Sequence, residues 1–250
     1  MSLIYRDPYC TTSSISRRRS NIYSSRIKER TMSAENLYIV KRTQFDPKSP
    51  REPVYTVTLP ATFTNLKSAK EFASRLLERE GYDPDFFAVY AVNDDPADWT
   101  HGDGVVVYAE GPEKEVFTVE IETTQNTLAL GVDDVNPEGR VQRQLYHVLQ
   151  TMIEYNEDRS GGKRYAVVEA TLKSHKDAME RALNVLLDGK EVTKDDFAEY
   201  DEFKNGEGPF GSDAVVHAVK EGGQNILTSV VAGNKLWRSG GVAFFPQSDA

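Results

Sequence analysis

The chain is poor in the groups from which most protein chemistry is built. Its 250 residues contain one cysteine, Cys10, and four histidines. A lone cysteine closes no internal disulfide and builds no zinc module, so a disulfide-stapled secreted scaffold is excluded and a reducing compartment is expected. No apolar run approaches the ~20 residues that a bilayer crossing needs, and no membrane association of the body is expected. The loop and nucleophile signatures G-x-S-x-G, G-x-x-x-x-G-K-[ST], H-E-x-x-H and a helix-opening G-x-G-x-x-G are all missing. No cofactor is implied, and neither a catalytic residue nor a metal site is expected.

What is present suffices for a core: 39% apolar residues, with 12 Tyr, 11 Phe and 2 Trp. Charge is uneven. Residues 1–31 hold six Arg and one Lys against Asp7 and Glu29, a net of +5, which leaves −14 for the rest of a chain whose total is −9. An acidic body repels phosphate backbones, so no nucleic-acid partner is expected for it. The tail sets Arg17-Arg18-Arg19 among serines, with Ile15 and Ile22 apart. It reads as a disordered or dispensable segment; the alternatives are a mitochondrial transit peptide or a nucleic-acid arm.

After the tail the sequence repeats itself. Leu37-Tyr38-Ile39-Val40 recurs as Leu145-Tyr146-His147-Val148, and in the same order follow Tyr55/Tyr165, Ala69/Ala178, Ala73/Ala182, Phe87/Phe197, Tyr90/Tyr200, Val105/Val215, Thr118/Thr228 and Asn126/Asn234. The offsets stay near 108–110, so chance is a poor explanation. The organisation expected is a tail over 1–35, a first unit over 36–135, a linker over 136–143 and a second unit over 144–250.

Each unit opens with two β-rich stretches. In the first, Asp46-Pro47-Lys48-Ser49-Pro50 separates them; in the second, Ser160-Gly161-Gly162 does. Leu66, Ala69, Phe72, Ala73, Leu76 and Leu77 then recur at helical spacing before Gly81, and Ala178, Ala182, Val185 and Leu186 do so before Gly189, with Ser174 as the cap. Residues 83–90 and 193–200 begin with helix-start signals, Asp83-Pro84 and Thr193 with Asp196, and their Phe-Ala-x-Tyr spacing predicts a short helix. Two more β stretches close each unit. The fold class expected is therefore α+β: two tandem β-β-α-(short α)-β-β repeats, each an antiparallel sheet covered by a helix, packed as a pseudo-twofold pair.

Candidate functional residues are few. His147 and His217 stand where the first unit is aliphatic, at Ile39 and Val107, and read as partly buried strand residues. Trp99 and His101 sit in an acidic loop, 93–104, whose counterpart contains Phe210. That loop lacks EF-hand spacing and reads as turn chemistry or a partner contact. Tyr90 and Tyr200, if they faced one another across the twofold, would wall a small-molecule pocket. Trp237, with Phe244 and Phe245, lies on a glycine-rich C-terminal stem expected to latch onto the body or dock on another chain.

Through its Tyr-x-Val strand starts, its alanine-bearing helix and its Asp196-Phe197-x-x-Tyr200 segment, the sequence resembles small acidic proteins of ascomycete fungi that carry no known activity. The likeness implies a eukaryotic cytosol and transfers no functional residue. The expectation is thus a non-catalytic binding or scaffold protein with a protein or small-molecule partner, a homo-oligomer staying open. The rival is a small-molecule enzyme with its site between the repeats, using His101 with Asp98 or Asp103, or His147 with His217.

Overall fold

The computed structural model describes residues 34–233, apart from residues 48–53, 96, 156, 160–162, 188 and 205. The basic tail with Cys10, and the C-terminal stretch holding Asn234 and Trp237, lie outside the described residues. No helix of the described chain is long and apolar enough to cross a membrane.

The first unit runs β1 (Asn36–Asp46), β2 (Val54–Phe63), α1 (Leu66–Ala73), α2 (Leu76–Arg79), a 3-10 turn at Pro84–Phe86, β3 (Val89–Val92), β4 (Val105–Glu110) and β5 (Val116–Gln125). The second repeats it as β6 (Leu145–Glu154), β7 (Arg164–Leu172), α3 (His175–Asn184), a 3-10 turn at Lys194–Asp196, β8 (Glu199–Glu202), β9 (Ala214–Val219) and β10 (Gln224–Gly233). Both sheets are antiparallel, in the orders β2-β1-β5-β4-β3 and β7-β6-β10-β9-β8. The duplicated α+β architecture expected from the repeat is what the chain adopts.

The likeness extends to irregularities. Pairing of β1 with β2 shifts after Val40, and that of β6 with β7 shifts after Val148, which places a bulge near Pro60 and near Glu169. A proline has no N–H to give a ladder, so a bulge is where an internal one is tolerated. The β4–β5 and β9–β10 ladders shift alike, near Val106 and Val215.

Each helix covers one face of its sheet. Asn65 Oδ1 accepts from the Ser68 backbone N–H at 3.1 Å to start α1, and Ser174 Oγ accepts from Asp177 N–H at 3.4 Å to start α3. Ala69 and Ala73 in α1, and Ala178 and Ala182 in α3, are fully buried. Such short side chains let a helix lie close on a sheet, against Val40, Phe63 and Phe117 in one unit and Val148, Val216 and Ala218 in the other. The helix end expected at Gly81 is real: its φ of 97° is open to glycine and costly for other residues.

The structure departs from the sequence reading in the segments after the helices and in register, where Tyr55 also corresponds to Arg164 and not to Tyr165. The segments over 83–90 and 193–200 contain a 3-10 turn followed by a fifth strand, not an α-helix. Asp83 Oδ1 does accept from Asp85 N–H at 3.0 Å, and Thr193 forms a capping box with Asp196, but the chain turns to extended geometry at Phe87 and Phe197. The caps were genuine; they open a single turn. Tyr90 is consequently a strand residue opposite Ala109, and Tyr200 one opposite Ala218.

The second correction is one of register. Phe117 pairs with Gln44 while Ile226 pairs with Met152, so the offset there is 109 and the Thr118/Thr228 match slips by one residue. A one-residue slip exchanges faces. Thr118 lies on the face away from the helix, whereas Thr228 is buried beneath α3 in the position of Val119. For the same reason the counterpart of His217 is Tyr108, which opposes Ala91 as His217 opposes Asp201, and not Val107.

The face of each sheet away from its helix meets the other unit. Leu37 and Leu145, equivalent residues of β1 and β6, share one buried cluster with Leu130 and Val141 of the segment that joins β5 to β6. β2 packs against β10, and β7 lies over β1 and β5. Equivalent edges thus cross to equivalent strands, which is the pseudo-twofold relation. Asn126 anchors the start of that segment, its Nδ2 donating to the Leu130 carbonyl at 2.9 Å and its Oδ1 accepting from Leu130 N–H at 3.0 Å.

Candidate functional site

Two halves of a twofold seam need not be chemically alike, and here they differ. In the first sheet Lys41 projects from β1 away from the helices, between Glu120 and Glu122 of β5. Its Nζ lies 3.1 Å from Glu120 Oε1, and it also donates to Glu122 Oε1 and to the Ala166 carbonyl of β7. Glu122 Oε2 accepts in turn from Val168 N–H at 2.8 Å. Ala166 and Val168 are the outward-facing groups of an edge strand, whose backbone would otherwise need water or another chain. The lysine–glutamate pair satisfies both. At the equivalent places, by register, the second sheet has Leu149, Ser229 and Val231.

β7 does not seal the face completely. Between it and the first sheet lies a cleft of about 730 Å³, walled by Tyr55, Thr43, Thr118, Glu120, Arg164 and Tyr165. Arg164 stands 5.8 Å from the Tyr55 ring centroid, a cation–π contact. Burial pushes the Tyr55 phenol up to about 12, against a weaker opposing pull from its bond with Thr43. Tyr165 is 43% exposed at the mouth.

The residues singled out from sequence are scattered. Tyr90 and Tyr200 do not face one another; each packs into the core beneath its own helix, Tyr90 against Phe87 and Tyr200 against Phe197. Tyr200 donates to the Leu183 carbonyl at 3.3 Å. Burial raises both phenols above their ordinary value. They belong to two separate cores and wall no common pocket.

The loop residues form a different pattern. His101 stacks on Tyr108 at 4.1 Å and meets Trp99 edge-on at 4.9 Å, while Phe210 stacks on His217 at 4.5 Å. The two units use one stacking position with histidine and aromatic exchanged: loop histidine over strand tyrosine in the first, loop phenylalanine over strand histidine in the second. Among the described residues the contacts of His101 are with the Tyr108 and Trp99 rings, and no ion pair or hydrogen bond joins it to Asp98 or Asp103.

His147 and His217 are not neighbours either. His147, fully buried, has Nδ1 at 2.9 Å from Thr171 Oγ1 and its Nε2 without a hydrogen-bond partner among the described residues. Burial holds this imidazole down at about 4. Gly233 explains the tight seat, because a Cβ there would stand 2.3 Å from His147 Nε2. Neither histidine pair of the enzyme reading is assembled.

No family model, curated protein or solved structure matches the chain. The cleft was not legible in sequence because its walls come from β1, β2, β5 and β7, whose residues carry no common motif. One signal was available: Lys41 and Glu122 are charged where the second unit has Leu149 and Val231.

Proposed function

We propose that the protein is a non-catalytic binding or scaffold protein, built from a duplicated α+β unit, that holds a partly apolar small molecule in the cleft between β7 and the first sheet. The observation that carries this reading is the asymmetry of the seam: beside the cleft a buried lysine and two glutamates stand between β7 and the first sheet, where the second sheet has smaller or apolar side chains. The walls suit such a ligand. Tyr55 and Tyr165 offer aromatic faces, Thr43 and Thr118 offer hydroxyls, and a few directional polar groups within an apolar surround are what small-molecule sites generally use.

The test is native mass spectrometry of the full chain, followed by calorimetry with whatever molecule co-purifies. Binding at one molecule per chain, weakened at least about tenfold by Tyr165→Ala, supports the proposal; that change removes a half-exposed ring and leaves the core untouched. A ligand that is indifferent to Tyr165→Ala, or that is converted chemically on incubation, overturns it.

A further inference from the structure

The second sheet carries, on its face away from α3 and at the edge farthest from the cleft, three side chains that the first sheet lacks. β8 sets Glu199 and Asp201 two residues apart, so both project from the same face. β9 brings His217 directly opposite Asp201. One ligand atom from each lies within 4.8 Å of the other two. By register the first unit has Val89, Ala91 and Tyr108 at these positions, none of them a ligand pairing of this kind.

The histidine is oriented as a metal ligand is. Its residue surface is 9% exposed, and Phe210 stacks on the ring. Nε2 lies 2.9 Å from Asn225 Oδ1. Asn225 Nδ2 donates to the Gly223 carbonyl at 3.3 Å, which turns the amide oxygen towards the ring, so Nε2 carries the proton and donates it. The lone pair is then on Nδ1. This atom has no hydrogen-bond partner among the described residues; its nearest neighbour of opposite charge type is Asp201 Oδ2 at 4.0 Å, beyond hydrogen-bond range. A ring that donates outward to a carbonyl and presents its other nitrogen to two carboxylates has the outer hydrogen bond that fixes tautomer and basicity in metal-binding histidines.

We propose that Glu199, Asp201 and His217 Nδ1 bind one divalent first-row transition cation, of which Zn2+ is the probe, with water completing the shell. In the tetrahedral shell of Zn2+, ligand bonds of about 2.0–2.2 Å to nitrogen and oxygen place two donor atoms about 3.4 Å apart. The Asp201–His217 separation of 4.0 Å and the others, all within 4.8 Å, close to that spacing by rotation of the exposed Glu199 and Asp201 side chains towards the held imidazole. Imidazole nitrogen favours this class of cation over Mg2+ or Ca2+, which prefer all-oxygen shells. Two carboxylates neutralise the dication, so no net charge is left beside the buried ring. The site lies across the second sheet from the cleft and does not depend on a ligand there.

Calorimetric titration of metal-free, full-length protein with Zn2+, paralleled by Co2+ absorption spectroscopy, tests the site. The expected result is one strong site per chain and a visible Co2+ band. Asp201→Asn and Glu199→Gln, both at exposed positions that leave folding intact, are each expected to weaken binding at least about tenfold and their combination to abolish the Co2+ band; Asn225→Ala, which frees the outer nitrogen, is expected to weaken it by about tenfold. His101→Ala is expected to change nothing. Zn2+ binding that survives the Asp201→Asn/Glu199→Gln pair, or no saturable binding at all, overturns the proposal.

Discussion

Replacing Lys41 by leucine isolates what the ionic half of the seam contributes. The lysine side chain is only 5% exposed, while Glu120 and Glu122 keep 25% and 20% of their side-chain surface in contact with solvent. Removing one partner of a fully buried pair costs about 3–5 kcal/mol, because the other charge is stranded. Here the carboxylates retain some water, which lowers the penalty, but the Ala166 carbonyl also loses its donor. Lys41→Leu is therefore expected to cost about 2–3 kcal/mol. The triple change Lys41→Leu, Glu120→Ser, Glu122→Val transplants the second sheet's residues and removes every stranded charge; it still leaves the Ala166 carbonyl and the Val168 N–H without their partners, so it is expected to lie about 1–2 kcal/mol below the wild type and above the single variant. Urea unfolding at pH 7, followed by far-ultraviolet circular dichroism and by tryptophan fluorescence with unchanged m-values, gives the comparison. The reasoning is refuted if Lys41→Leu costs less than about 0.5 kcal/mol, the level of an exposed pair, or if the triple variant is no more stable than the single one.

His147 makes stability fall in acid: the folded-state imidazole sits at about 4 against an ordinary 6.5, so the unfolded chain binds the extra proton between those values. The stabilisation from keeping this ring neutral is complete above pH 6.5 and is lost as pH falls towards 4, about 3 kcal/mol in all, and His147→Leu is expected to flatten that part of a stability–pH curve. Tyr55 acts at the other end of the scale, since its phenol titrates at about 12 when folded against 10.0 ordinarily. Its contribution to stability should fall by about 3 kcal/mol as pH rises from 10 to 12, and Tyr55→Phe should shrink the alkaline drop by that amount, as read by denaturant midpoints across that range. Gly233→Ala forces a methyl group against the His147 ring and is expected to cost about 1–3 kcal/mol, read by thermal unfolding; an unchanged midpoint would show that the ring has room to move.

The duplication was legible because burial acts on sequence directly. Val40 and Val148, Ala69 and Ala178, Ala73 and Ala182 recur since each sits where only a small or apolar side chain fits between helix and sheet. The fifth strand was hidden. β3 and β8 are four residues long, too short for alternation to outweigh the cap signals of Asp83 and Thr193, which a 3-10 turn and an α-helix share. That error concealed more than a strand. Read as helix, Glu199 and Asp201 point to different sides; read as strand, they point together at His217. The register slip at Thr118/Thr228 had another origin: the loop over 93–104 is one residue longer than its counterpart over 203–213, and sequence matching placed the gap elsewhere. The Lys41–Glu122–Val168 connection spans distant parts of the chain and involves a backbone donor, which no side-chain pattern announces.

The bond from Glu122 to Val168 and the one from Lys41 to Ala166 also decide how the protein behaves in crowded solution. They occupy the hydrogen-bonding rim of β7, beside the exposed Tyr165 and Val167, where a second molecule would otherwise add its own strand. Loosening the seam would therefore show itself as concentration-dependent fibre growth before any loss of helix or sheet signal.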